Sequence, residues 1–333
     1  MEKNSEGTLV LVLLTLIEVF LSGAVEVQPS ISPAVAGGPL TLSLSPSTTL
    51  NSGSWAVGAS LILTWVGEQQ AVFPTYIGRA SVNVSTGALT LNPITLVDSG
   101  VYIVQSNDPQ FTANTSIAVV EPVSNVTLSV NQTNLVEFSS SAVVTCSVSS
   151  GSSLSFLWLN GSSEVTASDR VQLTDGNATL TILNVTRYDQ GPFTCYVFNS
   201  VSNGSNTVNF TVFYGPDNMA LTINGQSMTS FLVGSNLTLL CSAQSSPPAQ
   251  LQWAFRGQNV NTTGPMLYLY NATENQSGPY SCLAFNNATT VNTTITTQIT
   301  IANSSGSQQQ EANVWLLPLL LLAALLLSLP GKI

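Results

Sequence analysis

The chain has 333 residues, of which 44% are hydrophobic and only 7% charged, with a formal net charge of −10 and no histidine. The length allows two or three domains, and acidity without any cluster of Lys or Arg excludes nucleic acid as a partner, because neutralising phosphates takes such a cluster. Lysine occurs only at Lys3 and Lys332, so the usual general bases are absent, no phosphate-cradling or metal-loop motif replaces them, and neither an enzyme nor a cofactor is expected.

Residues 1–24 read as a secretory signal peptide. The apolar run Leu9–Phe20 has the length of an h-region, and Ser22-Gly23-Ala24 supplies small residues for cleavage. An N-terminal anchor is the alternative, but the run is short for a membrane span. Export places the four cysteines in an oxidising compartment, where an even number reads as two disulfides. With no Cys-x-x-Cys pair and no histidine, a metal site is disfavoured.

From Val25 onward the chain reads as strands. Leu40-Thr41-Leu42-Ser43-Leu44, Ala178–Leu183 and Asn236–Cys241 alternate apolar and polar residues, as half-buried strands do. In two places a cysteine is followed twelve residues later by tryptophan and then by a second cysteine: Cys146, Trp158, Cys195 and Cys241, Trp253, Cys282. This frame marks an immunoglobulin-type sandwich, and it selects Cys146–Cys195 and Cys241–Cys282 from the three possible pairings. An upstream copy lacks both cysteines: Trp65 is followed by Asp98-Ser99-Gly100-Val101-Tyr102-Ile103-Val104, with Val104 at the second cysteine position. Leu44 and Val104 are expected to fill the space of the missing bridge. The stretch Ser45–Ser60 is long for a loop before the core tryptophan, and reads as an extra edge strand around Trp55 or a mobile loop.

The fold class is therefore all-β, with three tandem immunoglobulin-like sandwiches, the first without the inter-sheet disulfide. The expected domains are 25–121, variable-like; 122–213; and 214–302, compact and constant-like because its tryptophan-to-tyrosine stretch is shorter. Tyr102 and Tyr280 stand two residues before the second cysteine position, where a tyrosine corner forms, while the second repeat has Phe193 there. Arg79 precedes Asp98, and Arg170 precedes Asp189, by the same nineteen residues, predicting two equivalent ion pairs. The third repeat has Gln276 in the acidic place.

Sixteen Asn-x-Ser/Thr sequons are present. The first repeat has Asn83 and Asn114. The second has Asn125, Asn131, Asn160, Asn177, Asn184, Asn203 and Asn209. The third has Asn236, Asn261, Asn271, Asn275, Asn287 and Asn292, and Asn303 follows it. Glycans on these positions would solvate a surface with few charges and leave the first repeat barer for contact. Residues 303–313 are polar and 314–333 form a hydrophobic C-terminal segment whose apolar run is Val314–Leu329, the order of a lipid-anchor signal. Attachment of glycosylphosphatidylinositol is expected at Ser304, with Asn303 and Ser305 as rivals; a short single-pass anchor held by Lys332 is the alternative.

These residues resemble a known family. Tyr214-Gly215-Pro216-Asp217, Gly234–Cys241, Pro247-Pro248-Ala249-Gln250 and Ser277–Cys282 are similar to the second constant-like domain of the carcinoembryonic-antigen-related cell adhesion family. Trp65–Glu68, Gly78-Arg79 and Asp98–Gln105 resemble, more loosely, its first domain, which is variable-like and lacks a disulfide. The resemblance implies a membrane-held adhesion protein whose first domain binds the same or a related immunoglobulin-family protein through the sheet of strands G, F, C and C′. With Trp65 on strand C and pointing inward, Thr64, Val66 and Glu68 are expected to point outward. With Tyr102 and Val104 inward, Val101, Ile103, Gln105 and Asn107 join them. Gln105 matches a family contact residue, whereas Val66 replaces a tyrosine and Asn107 an isoleucine. Val66, Val101 and Ile103 are read as one apolar cluster. Two further readings stay open: a lipid-anchored receptor or decoy for a different protein or microbial ligand, and a secreted, glycosylated structural component.

Overall fold

Burial follows a period of two along the strands. Leu40, Leu42 and Leu44 are buried in Leu40–Ser45, and Ala142, Val144 and Cys146 in Ala142–Ser147. A sheet with one face on a core and the other in water imposes this pattern. The computed structural model describes residues 24–303; residues 1–23 of the expected signal peptide, the anchor positions Ser304 and Ser305 and the apolar tail lie outside them. No described helix is long and apolar enough to cross a membrane. Three hydrophobic cores form, spanning Val27–Val119, Leu135–Val212 and Ile223–Ile301. The first two belong to one compact unit and the third to another, divided between Val212 and Phe213.

The first sandwich contains β1 (Glu26–Pro29), β2 (Ala34–Val35), β3 (Leu40–Ser45), β4 (Ser52–Val57), β5 (Ser60–Val66), β6 (Gln69–Val72), β7 (Ala80–Val82), β8 (Leu89–Leu91), β9 (Gly100–Asp108), β10 (Gln110–Ile117) and β11 (Val119–Val120). One sheet has the order β1-β3-β8-β7 and the other β10-β9-β4-β5-β6, while β2 and β11 form a short parallel pair.

This order corrects the reading of the first repeat. The strand beside β9 is β4, which carries Trp55, so the Ser45–Ser60 stretch holds a central strand rather than an edge strand or loop. Trp55 pairs with Val104 as Trp158 pairs with Cys195 and Trp253 with Cys282. Trp55, not Trp65, is therefore the core tryptophan of the frame. Leu44 does occupy the first cysteine position: Leu40 and Leu42 pair with Leu91 and Leu89 as Ala142 and Val144 pair with Ile182 and Leu180. Trp55 follows Leu44 by eleven residues, one short of the spacing in the other two repeats. Trp65 is also buried, but one strand further out. Both tryptophan runs alternate similarly; the count from Leu44 favours Trp55, and pairing with β9 fixes it.

In the second sandwich, Thr127–Val130, Ala142–Ser147, Thr179–Ile182 and Val171–Thr174 form one sheet, and Ser163–Glu164, Ser155–Asn160, Phe193–Phe198 and Asn203–Val208 the other. The Cys146–Cys195 disulfide joins them. Within this unit the Glu121 carbonyl at the repeat junction accepts a 2.7 Å hydrogen bond from Asn199 Nδ2. The third sandwich, considered by itself, has Cys241 bonded to Cys282. Strand Leu237–Ser246 pairs directly with Met266–Leu269, and Gln250–Phe255 pairs with Gln258–Thr263 and Gly278–Asn286.

Each strand preceding the second cysteine position is held by a local polar knot. Asp98 receives a bidentate pair from Arg79 at 2.7 and 2.8 Å and further bonds from Thr95 N and Oγ1, while Tyr102 Oη donates to the Asp98 carbonyl. Asp189 receives a single bond from Arg170 and both donors of Thr186. In the third sandwich Gln276 Oε1 accepts from Thr273, and Tyr280 Oη donates to the Gln276 carbonyl. Phe193 has no hydroxyl to contribute. The second sandwich adds a pair absent from the sequence reading, Arg187 with Glu137 at 2.7 Å. Its partners lie fifty residues apart with no repeat-wide counterpart to reveal them.

Candidate interaction face

The outer face of the five-stranded sheet of the first sandwich is built row by row, because residues opposite one another on antiparallel strands project to the same side. Gln105 on β9 faces Thr112 on β10 and Ser54 on β4. Ser54 faces Thr64 on β5, and Thr64 faces Ala71 on β6. This row crosses all five strands. Beside it, Ile103 faces Asn114 and Ala56, and Ala56 faces Leu61. Val101 adds an exposed apolar side chain next along β9. On the opposite side of the same strands Tyr102, Val104, Trp55, Leu63 and Trp65 are all buried in the core. The two rows carry no charge. Acidic residues stand only toward one end: Asp108, whose Oδ2 accepts from Asn51 Nδ2 at 3.1 Å, and Glu68.

Of the residues expected on this face, Val101, Ile103, Gln105 and Asn107 lie on β9, with Val101, Gln105 and Asn107 exposed and Ile103 half-buried. Thr64 and Val66 lie on β5, so they belong to strand C′ rather than C, whose place β4 takes. Glu68 is in the turn between β5 and β6, not on a strand. Val66 is 71% exposed but pairs with Ser52 and Gln69, at the level of Asp108. Two strand spacings and several residue rises then put it roughly 15–20 Å from Ile103. Val66, Val101 and Ile103 are therefore not one cluster: the apolar centre is Ile103, Ala56 and Leu61, with Val101 at its margin. Placing Trp65 on strand C leaves Ser54 and Ala56 off the face, the register shift between Leu63 and Leu61 takes Leu61 out of simple alternation, and Ala71 and Thr112 join only through cross-strand pairing. The available signal is the eleven-residue spacing from Leu44 to Trp55; in the structure Gly53 pairs with Trp65 and leaves room for that ring.

All sixteen sequon asparagines, Asn303 included, are exposed. Asn83 lies in the turn joining β7 to β8, on the other sheet, whereas Asn114 lies on β10 directly opposite Ile103. The first repeat is thus poorer in sequons, but its outer face is not free of them. Among the described residues no group of His, Cys, Asp or Glu is placed to hold a metal. A concavity on the third sandwich, bordered by Gln250, Leu251, Leu283 and Phe285, is lined without any titratable side chain.

A family model described as "Immunoglobulin domain" matches residues 132–208, and a second of the same description matches 220–286. The cell adhesion molecule CEACAM16 of Rattus norvegicus is 27% identical over 251 residues, 71% of this chain and 59% of the relative. The Mus musculus protein of that name is 28% identical over 71% of this chain and 58% of its own length. The chain thus spans less than two thirds of these relatives. Among solved structures, the three-domain ectodomain of mouse nectin-like molecule 4 aligns with a TM-score of 0.52 at 16% identity, covering 83% of this chain and 98% of that one. At that identity the likeness shows the fold alone.

Proposed function

Because the chain is an immunoglobulin-superfamily protein related to the carcinoembryonic-antigen-related cell adhesion molecules, we propose that it is a cell-surface adhesion protein. Its first domain binds a second copy, or a related immunoglobulin-family protein, through the outer face of β10-β9-β4-β5-β6. The observation that carries this reading is the pair of uncharged rows, Thr112–Gln105–Ser54–Thr64–Ala71 and Asn114–Ile103–Ala56–Leu61. Hydroxyls and one amide give direction, while Ile103 and Leu61 give apolar area; no ionised group has to be stripped of water. Such a surface, apolar at its centre and polar around it, has the composition of a protein contact.

The remaining parts serve presentation. The second and third domains act as a glycan-clad stalk, supported by their thirteen exposed sequons. Lipid attachment at Ser304 holds the protein to the outer leaflet, supported by the order of small residues, polar spacer and apolar tail. Beads coated with the complete ectodomain test the adhesive reading. Wild-type beads are expected to clump, and Ile103→Arg or Ala56→Arg beads to stay dispersed. Clumping that survives both substitutions overturns the assignment of the face. Wild-type beads that bind cells without clumping one another would place an unlike ligand on it. Release from cells by a phosphatidylinositol-specific phospholipase tests the anchor.

A further inference from the structure

We infer that an N-linked glycan at Asn114 gates the adhesive face, so that only molecules left unmodified there present it whole. This inference rests on the adhesion reading above and adds a regulatory modification to it. Asn114-Thr115-Ser116 is a sequon on β10. Ala113 and Ile117 on the same strand are buried in the core, so alternation turns the exposed Asn114 outward. Its Cα stands opposite that of Ile103, about 5 Å away, with Ala56 on the next strand about 5 Å beyond. The modification point is therefore in the apolar row itself, not at the rim. A branched, hydrated oligosaccharide there is far larger than these spacings and would keep a protein surface off Ile103 and Ala56. Asn83, on the opposite sheet, offers no such obstruction: its Oδ1 accepts from Ser85 N within the β7–β8 turn.

The chemistry is ordinary glycosyl transfer during export. The Asn114 amide nitrogen bonds to C1 of the first sugar of a lipid-pyrophosphate-linked oligosaccharide. The C1–oxygen bond to the pyrophosphate breaks, the lipid pyrophosphate leaves, and the amide loses one proton. The hydroxyl two residues on takes part in recognition, and Ser supports transfer less completely than Thr. Both first-domain sequons end in Ser, whereas ten of the thirteen in the second and third repeats end in Thr. Incomplete transfer at Asn114 then yields two populations, one open and one covered, whose ratio sets adhesive strength without any change of fold.

The test uses the whole soluble ectodomain. Peptide mass spectrometry gives the fraction unmodified at Asn114, and sedimentation equilibrium gives the apparent self-association constant. Asn114→Gln and Ser116→Ala remove the sequon in different ways, and Asn83→Gln is the control. Both removals are expected to tighten association and the control to leave it unchanged. If both molecules of a pair must be open, the gain is the inverse square of the unmodified fraction, about fourfold when half are open. Ile103→Arg added to Asn114→Gln should abolish the gain.

The gate is overturned if Asn114 carries no glycan. It is also overturned if Asn114 is modified yet both removals associate like wild type. In either case, loss of association in Ile103→Arg leaves the face standing. A gain that persists in the Ile103→Arg double variant overturns the face itself, since the glycan then acts on another surface. Absence of association in every form, with Asn114 shown to be modified in wild type, overturns both.

Discussion

Trp55 stands opposite Val104 in the register that sets Trp158 opposite Cys195 and Trp253 opposite Cys282. The first sandwich has kept the tryptophan and replaced the cross-link it normally packs against. Val104 and Leu44 are both buried, each side chain contributing about 1.5–3 kcal/mol by leaving water. That range approaches the stabilisation of a disulfide closing a loop of this size, about 4 kcal/mol in the chain-entropy view.

The two tryptophans of this domain are expected to respond differently to truncation. Trp55 Nε1 donates to the Gly87 carbonyl at 2.8 Å, whereas the buried Trp65 Nε1 has no hydrogen-bond partner. Trp55→Phe removes ring volume and leaves a buried carbonyl unpaired, a loss of about 2–4 kcal/mol. Trp65→Phe removes similar volume but relieves an orphan donor, and should cost about 1 kcal/mol or less. Amide exchange of β9 in the ectodomain measures both; equal losses would contradict these roles. Gly53→Ala adds a Cβ 2.5 Å from Trp65 Cζ2 and 2.8 Å from the Gln105 carbonyl. It should cost about 2 kcal/mol or more, part of it recovered in a Trp65→Phe background.

The contrast between these positions shows what the residues alone reveal. Alternation and the cysteine–tryptophan spacing are local, and they place the strands of the second and third sandwiches and the inward Tyr102 and Val104. Equal separations of nineteen residues point to Arg79–Asp98 and Arg170–Asp189 because the repeats vouch for each other. The Arg187–Glu137 pair has no such echo. Strand C of the first domain is a separate case. Counted from Leu44, Trp55 lies eleven residues on and Trp65 twenty-one, so the frame spacing favours Trp55, whereas alternation is shared by two neighbouring strands and favours neither. With Trp65 on strand C, Thr64 and Val66 stand one strand too far inward and Ser54 and Ala56 fall off the face; with Trp55 there, both return to it.

Acid should unfold the first domain through Asp98. Burial pushes this carboxyl up, but hydrogen bonds from Arg79 and Thr95 outweigh burial and hold it below the usual carboxylate range. A depressed value in the folded state means the stabilisation is complete above the unfolded value, near pH 4, and is lost as pH falls through the lower folded value. First-domain exchange protection should therefore hold from neutral pH to about 5 and fall below about 4. Asp98→Asn should be less stable at neutral pH by about 2–3 kcal/mol and show a flatter decline in acid. A variant with the wild-type acid slope would assign the transition to other groups.

Reductant should separate the domains by stability. Breaking Cys146–Cys195 and Cys241–Cys282 releases sequence loops of 49 and 41 residues, each loss amounting to about 4 kcal/mol. The first sandwich has no cysteine to lose. Treatment with dithiothreitol is expected to raise proteolytic cleavage within 122–302 while leaving the first domain's amide protection intact. Parallel loss of protection in β9 would mean that the first sandwich depends on its neighbour for stability.

The sharpest test of the corrected face compares residues on which the two assignments disagree. Glu68 is a strand C contact if Trp65 leads that strand, but the structure puts it in the β5–β6 turn. Ala56 has no place on the face in the first assignment, yet it pairs with Ile103 at its centre. Glu68→Ala should leave ectodomain association within about twofold of wild type, a change of less than ~0.5 kcal/mol. Ala56→Arg should reduce association at least a hundredfold, because its side chain would stand between Ile103 and Leu61 and bury an unpaired charge. The uncharged rows also predict little salt dependence, since screening acts on ionised groups. Association should change less than about threefold between roughly 50 and 500 mM sodium chloride. A steep fall with salt, or a loss at Glu68 without one at Ala56, would move the contact toward the acidic end marked by Asp108 and Glu68.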